Sequence, residues 1–177
     1  MTSVALILIL VTLAVPSYQD AVEKRRITQG AELILAFVNT IQSESIKRNR
    51  PVTVAYSIGD DGQWCIGAVL GRNACDCMQT DPTESSWCEL DNMPWVLRNS
   101  DVQARNLIHS ASGDGSYQFD PVRGIFTDPS DALTLGLSAG DGSYQMSLNL
   151  VSTGRVSVCV PQASNGIHGF HACPSGS

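Results

Sequence analysis

From Val4 to Val15 every residue except Thr12 is apolar, and Pro16 then interrupts the run. A helix with Val, Leu and Ile on every face needs lipid or protein on every side. A secretory signal carries a basic region before its apolar core. Here nothing basic precedes Val4, and Lys24-Arg25-Arg26 lies after the run. A membrane span takes about 20 apolar residues to cross roughly 30 Å of hydrocarbon, whereas Val4–Val15 covers twelve. Each simple reading therefore fails on something.

Beyond Pro16 the pattern changes. Ala21 to Ile46 contains no proline, and apolar residues recur at Ile27, Ala31, Ile34, Val38 and Ile41, in steps of four and three. That spacing predicts an amphipathic helix with one apolar stripe. Arg48-Asn49-Arg50-Pro51 ends it, because proline disfavours helical geometry in the residue before it. One long helix over 1–50 is expected, with a part suited to a membrane or polymer core (1–19) and an amphipathic part (20–50). Its two halves must sit in different environments.

Past Pro51 the period becomes two. Val52–Ile58 alternates and is rich in β-branched and aromatic residues, Gly59-Asp60-Asp61-Gly62 is turn chemistry, and Gln63–Leu70 reads as the returning strand. Further strands are expected at Trp95–Leu97, Tyr117–Phe119, Gly124–Thr127, Ala132–Leu137, Tyr144–Val151 and Arg155–Val160. The fold class is α+β: a long helix whose rear half lies on an antiparallel β head spanning 51–177. Charge is divided along the chain. The first 50 residues have six basic against four acidic side chains, and the head has five against thirteen. An acidic head is a poor match for nucleic acid, whose binding rests on neutralised phosphates.

The stretch "ALILILVTLAVPSYQDAVEKRR" resembles the N-terminal helix of type IV pilins and type II secretion pseudopilins. In that family a basic leader ends at a prepilin peptidase site. A glutamate soon follows, then an apolar stretch broken by a proline, which Pro16 matches. Here the leader, the cleavage site and the glutamate are absent. Restoring about six residues would bring the run near the ~20 of a span. Upstream in-frame codons are expected to encode the missing start. "FDPVRG" (119–124), "GRVSVCVP" (154–161), the terminal "HACP" and the "WCIGAV…ACDC" stretch are similar to the GspH/FimT branch of minor pilins and pseudopilins. The resemblance implies a pilin-like fold and a non-catalytic subunit anchored once in the inner membrane with a periplasmic head. It assigns Val4, Leu6, Leu8, Leu10, Val15 and Pro16 to the membrane and assembly helix. The implied partners are other minor pilins or pseudopilins, the major pilin, an inner-membrane assembly platform and a prepilin peptidase. No cofactor is implied.

In an exported head six cysteines (Cys65, Cys75, Cys77, Cys88, Cys159 and Cys173) read as disulfides. Cys159 with Cys173 would tie the tail to the last strand. The other four pair among themselves and pin the 71–94 loop, in an arrangement the sequence leaves open. Zinc is the rival, with His168 and His171 near Cys173, but paired C-x₂-C spacing is missing. "GLSAG" (136–140) matches the nucleophile elbow around Ser138, with Asp141 and His168 downstream. That chemistry needs a strand, a sharp turn and a helix above a parallel sheet, and here a second strand follows, so a hairpin turn is expected. "GDGSYQ" occurs at 113–118 and 140–145. Each copy lacks the further ligands of a calcium loop and reads as a turn entering a strand. Arg155 matches one arginine of the glycine-arginine-x-arginine motif that the resemblance associates with DNA uptake, but Ser157 stands in place of the second. The plainer expectation is that Arg155 pairs with a nearby acid.

Overall fold

The computed structural model describes residues 2–59, 63–71, 73–102, 106–109, 115–128, 133–138 and 142–174, with backbone alone for 2–17 and 106–109. Helix α1 runs from Thr2 to Arg48 without interruption at Pro16. Its end is closed by two paired bonds, Asn49 N–H to the Ile46 carbonyl (3.1 Å) and Arg50 N–H to the Ser45 carbonyl (3.3 Å). Asn49 sits in the left-handed region at φ 50°. This is the Schellman arrangement, with asparagine standing where glycine is commonest and Pro51 preventing continuation. Lys47 and Arg48 occupy the last turn, where the helix dipole favours cations. The predicted stripe is the buried face: Ile27, Ala31, Ile34, Val38 and Ile41 are each at most 1% exposed.

The head holds two four-stranded sheets, both antiparallel. The first contains β1 (Val52–Ile58), β2 (Trp64–Leu70), β5 (Val96–Arg98) and β7 (Gly115–Phe119), in the order β5-β2-β1-β7. The second contains β6 (Asn106–His109), β8 (Leu133–Ser138), β9 (Gln145–Leu150) and β10 (Val156–Cys159), in the order β10-β9-β8-β6. α1 lies against β1 of the first sheet and β8, β9 and β10 of the second. One apolar core unites them, with Val38 of the helix, Val54 and Ile66 of the first sheet, Leu135 and Leu148 of the second, and Phe119 and Phe126 between.

The three disulfides are Cys65–Cys77, Cys75–Cys88 and Cys159–Cys173. The first two crowd the outer face of the first sheet, where Ala55 and the four cysteines form a second buried cluster with Val69, Met78 and Val96 against it. Arg98 fastens this loop by donating from its guanidinium to the carbonyls of Cys77 (3.2 Å) and Gln79 (2.9 Å). The third bridge sits where Val160 and Ala172 form a parallel contact.

Three features differ from the sequence expectation. Gly124–Thr127 is not a strand and contributes only an isolated bridge, Phe119 to Phe126. Asp120 takes this segment out of extended geometry, because its carboxylate accepts the N–H groups of Val122 (2.8 Å) and Arg123 (2.9 Å). A tight hairpin of β3 (Glu89–Leu90) and β4 (Met93–Pro94) stands in the loop, turned by Asp91 and Asn92 at φ 54° and 60°. β6 was also not foreseen, and with it the strands divide into two sheets.

Candidate assembly surfaces

The head covers only part of α1. Among the helix side chains described, which begin at Tyr18, the first fully buried one is Ile27, while Tyr18 to Ala21 are exposed, Tyr18 at 73%. Lys24 caps this boundary with its ammonium 5.0 Å from the centre of the Tyr144 ring. The residues assigned to the membrane and assembly helix, Val4, Leu6, Leu8, Leu10, Val15 and Pro16, lie on the helical backbone before it, and their side chains fall outside the described residues. Among the described residues no helix is long and apolar enough to cross a membrane.

At the other end of α1, three distant pieces of chain meet. Gln42 directs its amide nitrogen at the Gly124 carbonyl and the Gly154 carbonyl, the latter at 3.3 Å. Gly124 ends the turn begun at Asp120, and its N–H returns to the Asp120 carbonyl (2.9 Å). Gly154 ends a turn in which its N–H meets the Val151 carbonyl (2.8 Å). Both glycines have positive φ, 65° and 76°, and a Cβ on Gly154 would run into the Gly124 carbonyl. Glycine is therefore required twice, for conformation and for close approach. Ser45, one turn further along α1, is fully buried and donates to the Arg50 carbonyl (3.0 Å). The joint fastens the helix to the turns that follow each sheet's last long strand, β7 and β9. The "FDPVRG" and "GRVSVCVP" stretches, read separately in the sequence, thus touch.

Electrostatics hold the same end. Arg48 binds Glu44 (2.7 Å) and Asp91 (2.6 Å), and Lys47 binds Glu44 (3.2 Å). Hydrogen bonds from Arg48 first, then Lys47, keep the Glu44 carboxyl below its ordinary range. The N–H groups of Arg123 and then Val122 do the same for Asp120.

The family model that matches this chain is that of the type II transport protein GspH, over residues 30–154. The chain belongs to the GspH family. The match begins at the packed half of α1 and ends on Gly154, so it contains Gln42, Gly124 and the whole joint. No curated protein matches in sequence. The chain is also similar to crystal structures of the Pseudomonas aeruginosa (strain PAO1) type IV minor pilin FimU in two crystal forms. The P21 form is 17% identical with a TM-score of 0.47, and the match covers 81% of this chain and 93% of that one. The P65 form is 14% identical with a TM-score of 0.48, and the match covers 76% and 97%.

A GspH-family chain is of minor pilin or pseudopilin type. Its remaining sequence candidates fall as follows. Ser138 is buried at the end of β8, opposite Gln145 in antiparallel register, with residues 139–141, including Asp141, outside the described set. His168 lies exposed in the C-terminal loop. Among the described residues no three His, Cys, Asp or Glu side chains are grouped to hold a metal. Arg155 is exposed immediately before β10, and the acid expected beside it is not there, since Arg155 has no ion-pair partner among the described residues; the charge of Arg123 acts on Asp120. Sequence reading missed Gln42, Arg123, Ile46, Val122 and Val151, which surround the joint.

Proposed function

We propose that this chain is a non-catalytic minor pilin or pseudopilin. The Thr2–Gln19 part of α1 anchors it in the inner membrane, the head stands in the periplasm, and the subunit enters a type IV pilus or a type II secretion pseudopilus. The observation that carries the reading is the end of the head's cover on α1 between Ala21 and Ile27, on a helix whose preceding sequence, Val4 to Val15, is apolar at every position except Thr12. Val4, Leu6, Leu8, Leu10 and Val15 then serve lipid first and neighbouring helices later. Pro16, which removes one helix hydrogen bond, sits between the two uses. The partners are other minor pilins, the major pilin, the assembly platform and the prepilin peptidase.

Fractionation of cells expressing the chain with its native upstream codons tests this. The chain should resist carbonate extraction from membranes, and deletion of residues 1–19 should release the head to the periplasm. Recovery of the undeleted chain wholly in the soluble fraction would sink the anchor.

A second reading, a DNA-binding tip subunit acting in natural transformation, leans on the unpaired and exposed Arg155. With Arg123 it would neutralise about two phosphates, a salt slope near −1.8, on a head with thirteen acidic and five basic residues. It stands second for that reason.

A further inference from the structure

The two bridges on the outer face of the first sheet, Cys65–Cys77 and Cys75–Cys88, interlock along the chain. Each skips one cysteine of the other, whereas Cys159–Cys173 has no cysteine between its ends. Four cysteines allow three pairings, and the one that joins neighbours in sequence is Cys65–Cys75 with Cys77–Cys88. Its separations, 10 (65 to 75) and 11 (77 to 88), are shorter than the native 12 and 13. In an open chain shorter loops close at least as readily. Nothing local therefore favours the native pairing.

What selects it is packing that arrives late. Cys65 stands opposite Arg98 in the β2–β5 register. The Arg98 guanidinium holds the carbonyls of Cys77 and Gln79, which sets Cys77 beside Cys65. Gly67, two residues on along the same face of β2, leaves the space that the Cys88 sulfur fills. A bond from the Asp76 N–H to the Ser86 carbonyl (2.8 Å) draws the segments of Cys75 and Cys88 together. Arg98 follows all four cysteines in sequence. A head that emerges N-terminal side first thus presents every wrong partner before the residue that sorts them. Once packed, Cys65, Cys77 and Cys88 are at most 1% exposed, and Cys75 keeps 8%. Cys75 also lies, with Tyr56, Cys77 and Ser116, in the wall of an open depression of about 280 Å³.

We propose that the native bridges of this face are reached by exchange, and that the chain is a substrate of a periplasmic thiol–disulfide isomerase, which engages it at Cys75. The disulfide oxidase of the periplasm first makes Cys65–Cys75 and Cys77–Cys88, taking two electrons and two protons for each bond. The isomerase thiolate attacks the Cys75 sulfur, forming a mixed disulfide and releasing the Cys65 thiolate. Cys65 attacks Cys77, forming the first native bridge and releasing the Cys88 thiolate. Cys88 attacks Cys75, forming the second bridge and returning the isomerase thiolate. Each exchange breaks one S–S bond and makes one, so no further oxidant or reductant enters. The inference rests on the periplasmic head of the reading above and adds a maturation partner.

The test is to express the full chain, with its native upstream codons, in bacteria with and without their periplasmic isomerase. Thiols are blocked, the unreduced protein is cut at Asp76, between the two inner cysteines, and the bridges are mapped by mass spectrometry. With the isomerase, Cys65–Cys77 and Cys75–Cys88 should predominate. Without it, native pairing should fall about threefold, to the one in three of unsorted pairing, with Cys65–Cys75 accumulating. Cys159–Cys173 should form in both hosts. An isomerase whose second active-site cysteine is replaced by alanine should be trapped on Cys75. Cys75→Ala/Cys88→Ala leaves Cys65 a single partner in the loop, so Cys65–Cys77 should then form equally in both hosts. Native bridges in full yield without the isomerase, or trapping on Cys159 or Cys173 alone, would overturn the inference and leave the periplasmic reading standing. Six free thiols in both hosts would overturn both.

Discussion

The two sheets share their topology class but not their surroundings. In the first, β1 is buried along five successive residues, Val52 to Tyr56. Val52, Val54 and Tyr56 enter the main core under α1, while Ala55 faces the disulfide cluster. In the second, burial alternates. Leu133, Leu135 and Leu137 of β8 and Met146, Leu148 and Leu150 of β9 go inward, while Thr134, Ser147 and Asn149 look outward and are half-buried. A sheet with one face only partly covered, as here by the Cys159–Cys173 bridge beside Asn149, needs apolar residues only at every second position, and a sheet covered twice needs something on both. Here the second cover is made of four cysteines and a loop of polar composition, so covalent bonds and close packing replace long apolar side chains.

That contrast can be broken most forcefully at the bridges. The loops closed by the three disulfides are nearly equal, with sequence separations of 12, 13 and 14. Chain entropy alone therefore gives each about 3 kcal/mol. The outer-face bridges should cost more, because Cys65, Cys77 and Cys88 are at most 1% exposed and their removal also opens the packed layer. Thermal unfolding of Cys65→Ala/Cys77→Ala and of Cys75→Ala/Cys88→Ala should show larger losses than Cys159→Ala/Cys173→Ala. Equal losses for all three would mean that the first sheet's second cover is a cross-link and not a core.

A smaller effect separates the two outward faces directly. A Cβ on Gly67 would meet the Cys88 sulfur and the Cys77 Cβ, so Gly67→Ala overpacks the layer and should cost about 1–3 kcal/mol. Ser147→Ala, on the outward face of β9, should stay within about 0.5 kcal/mol. Denaturant midpoints measured on the two variants check the pair. A Ser147→Ala loss as large as that of Gly67→Ala would show that the second sheet also carries a cover.

The parts visible in the sequence are those set by short-range periodicity. The Ile27–Ile41 stripe, the Val52–Leu70 hairpin and the strands around Leu135 and Leu148 follow from period 3.6 or 2 and a nearby turn. The β3–β4 hairpin had a signal, since Asp91-Asn92 is a pair that tolerates left-handed geometry, but it was lost inside a cysteine-rich loop. Gly124–Thr127 looks β-prone by residue type, and the Asp120 side chain overrides that preference by capturing two N–H groups. Gln42 could not be found at all. In the sequence it resembles Gln29, and its role exists only because carbonyls 82 and 112 residues away arrive beside it. The division into two sheets has the same cause, because alternation states which face is buried and not which neighbour a strand takes.

The smallest expected effect concerns the turn that leads from one sheet towards the other. Asp120 follows β7, and its carboxylate is held below the ordinary aspartate range by the N–H groups of Arg123 and Val122. A depressed value in the folded state means that ionised Asp120 stabilises the turn above its unfolded value, near 3.8. That contribution is lost as pH falls through the folded value. Amide exchange at Val122 and Arg123 should therefore be insensitive to this group at neutral pH and show added opening only below about pH 4. Asp120→Asn should remove the added opening while keeping an oxygen acceptor. The Leu148 amide, inside the one-sided second sheet, should not respond over the same range. If both regions open together, the turn is not an independent hinge between the sheets, and acid acts on the head as a single unit through its other carboxylates, Glu44 with Arg48 among them.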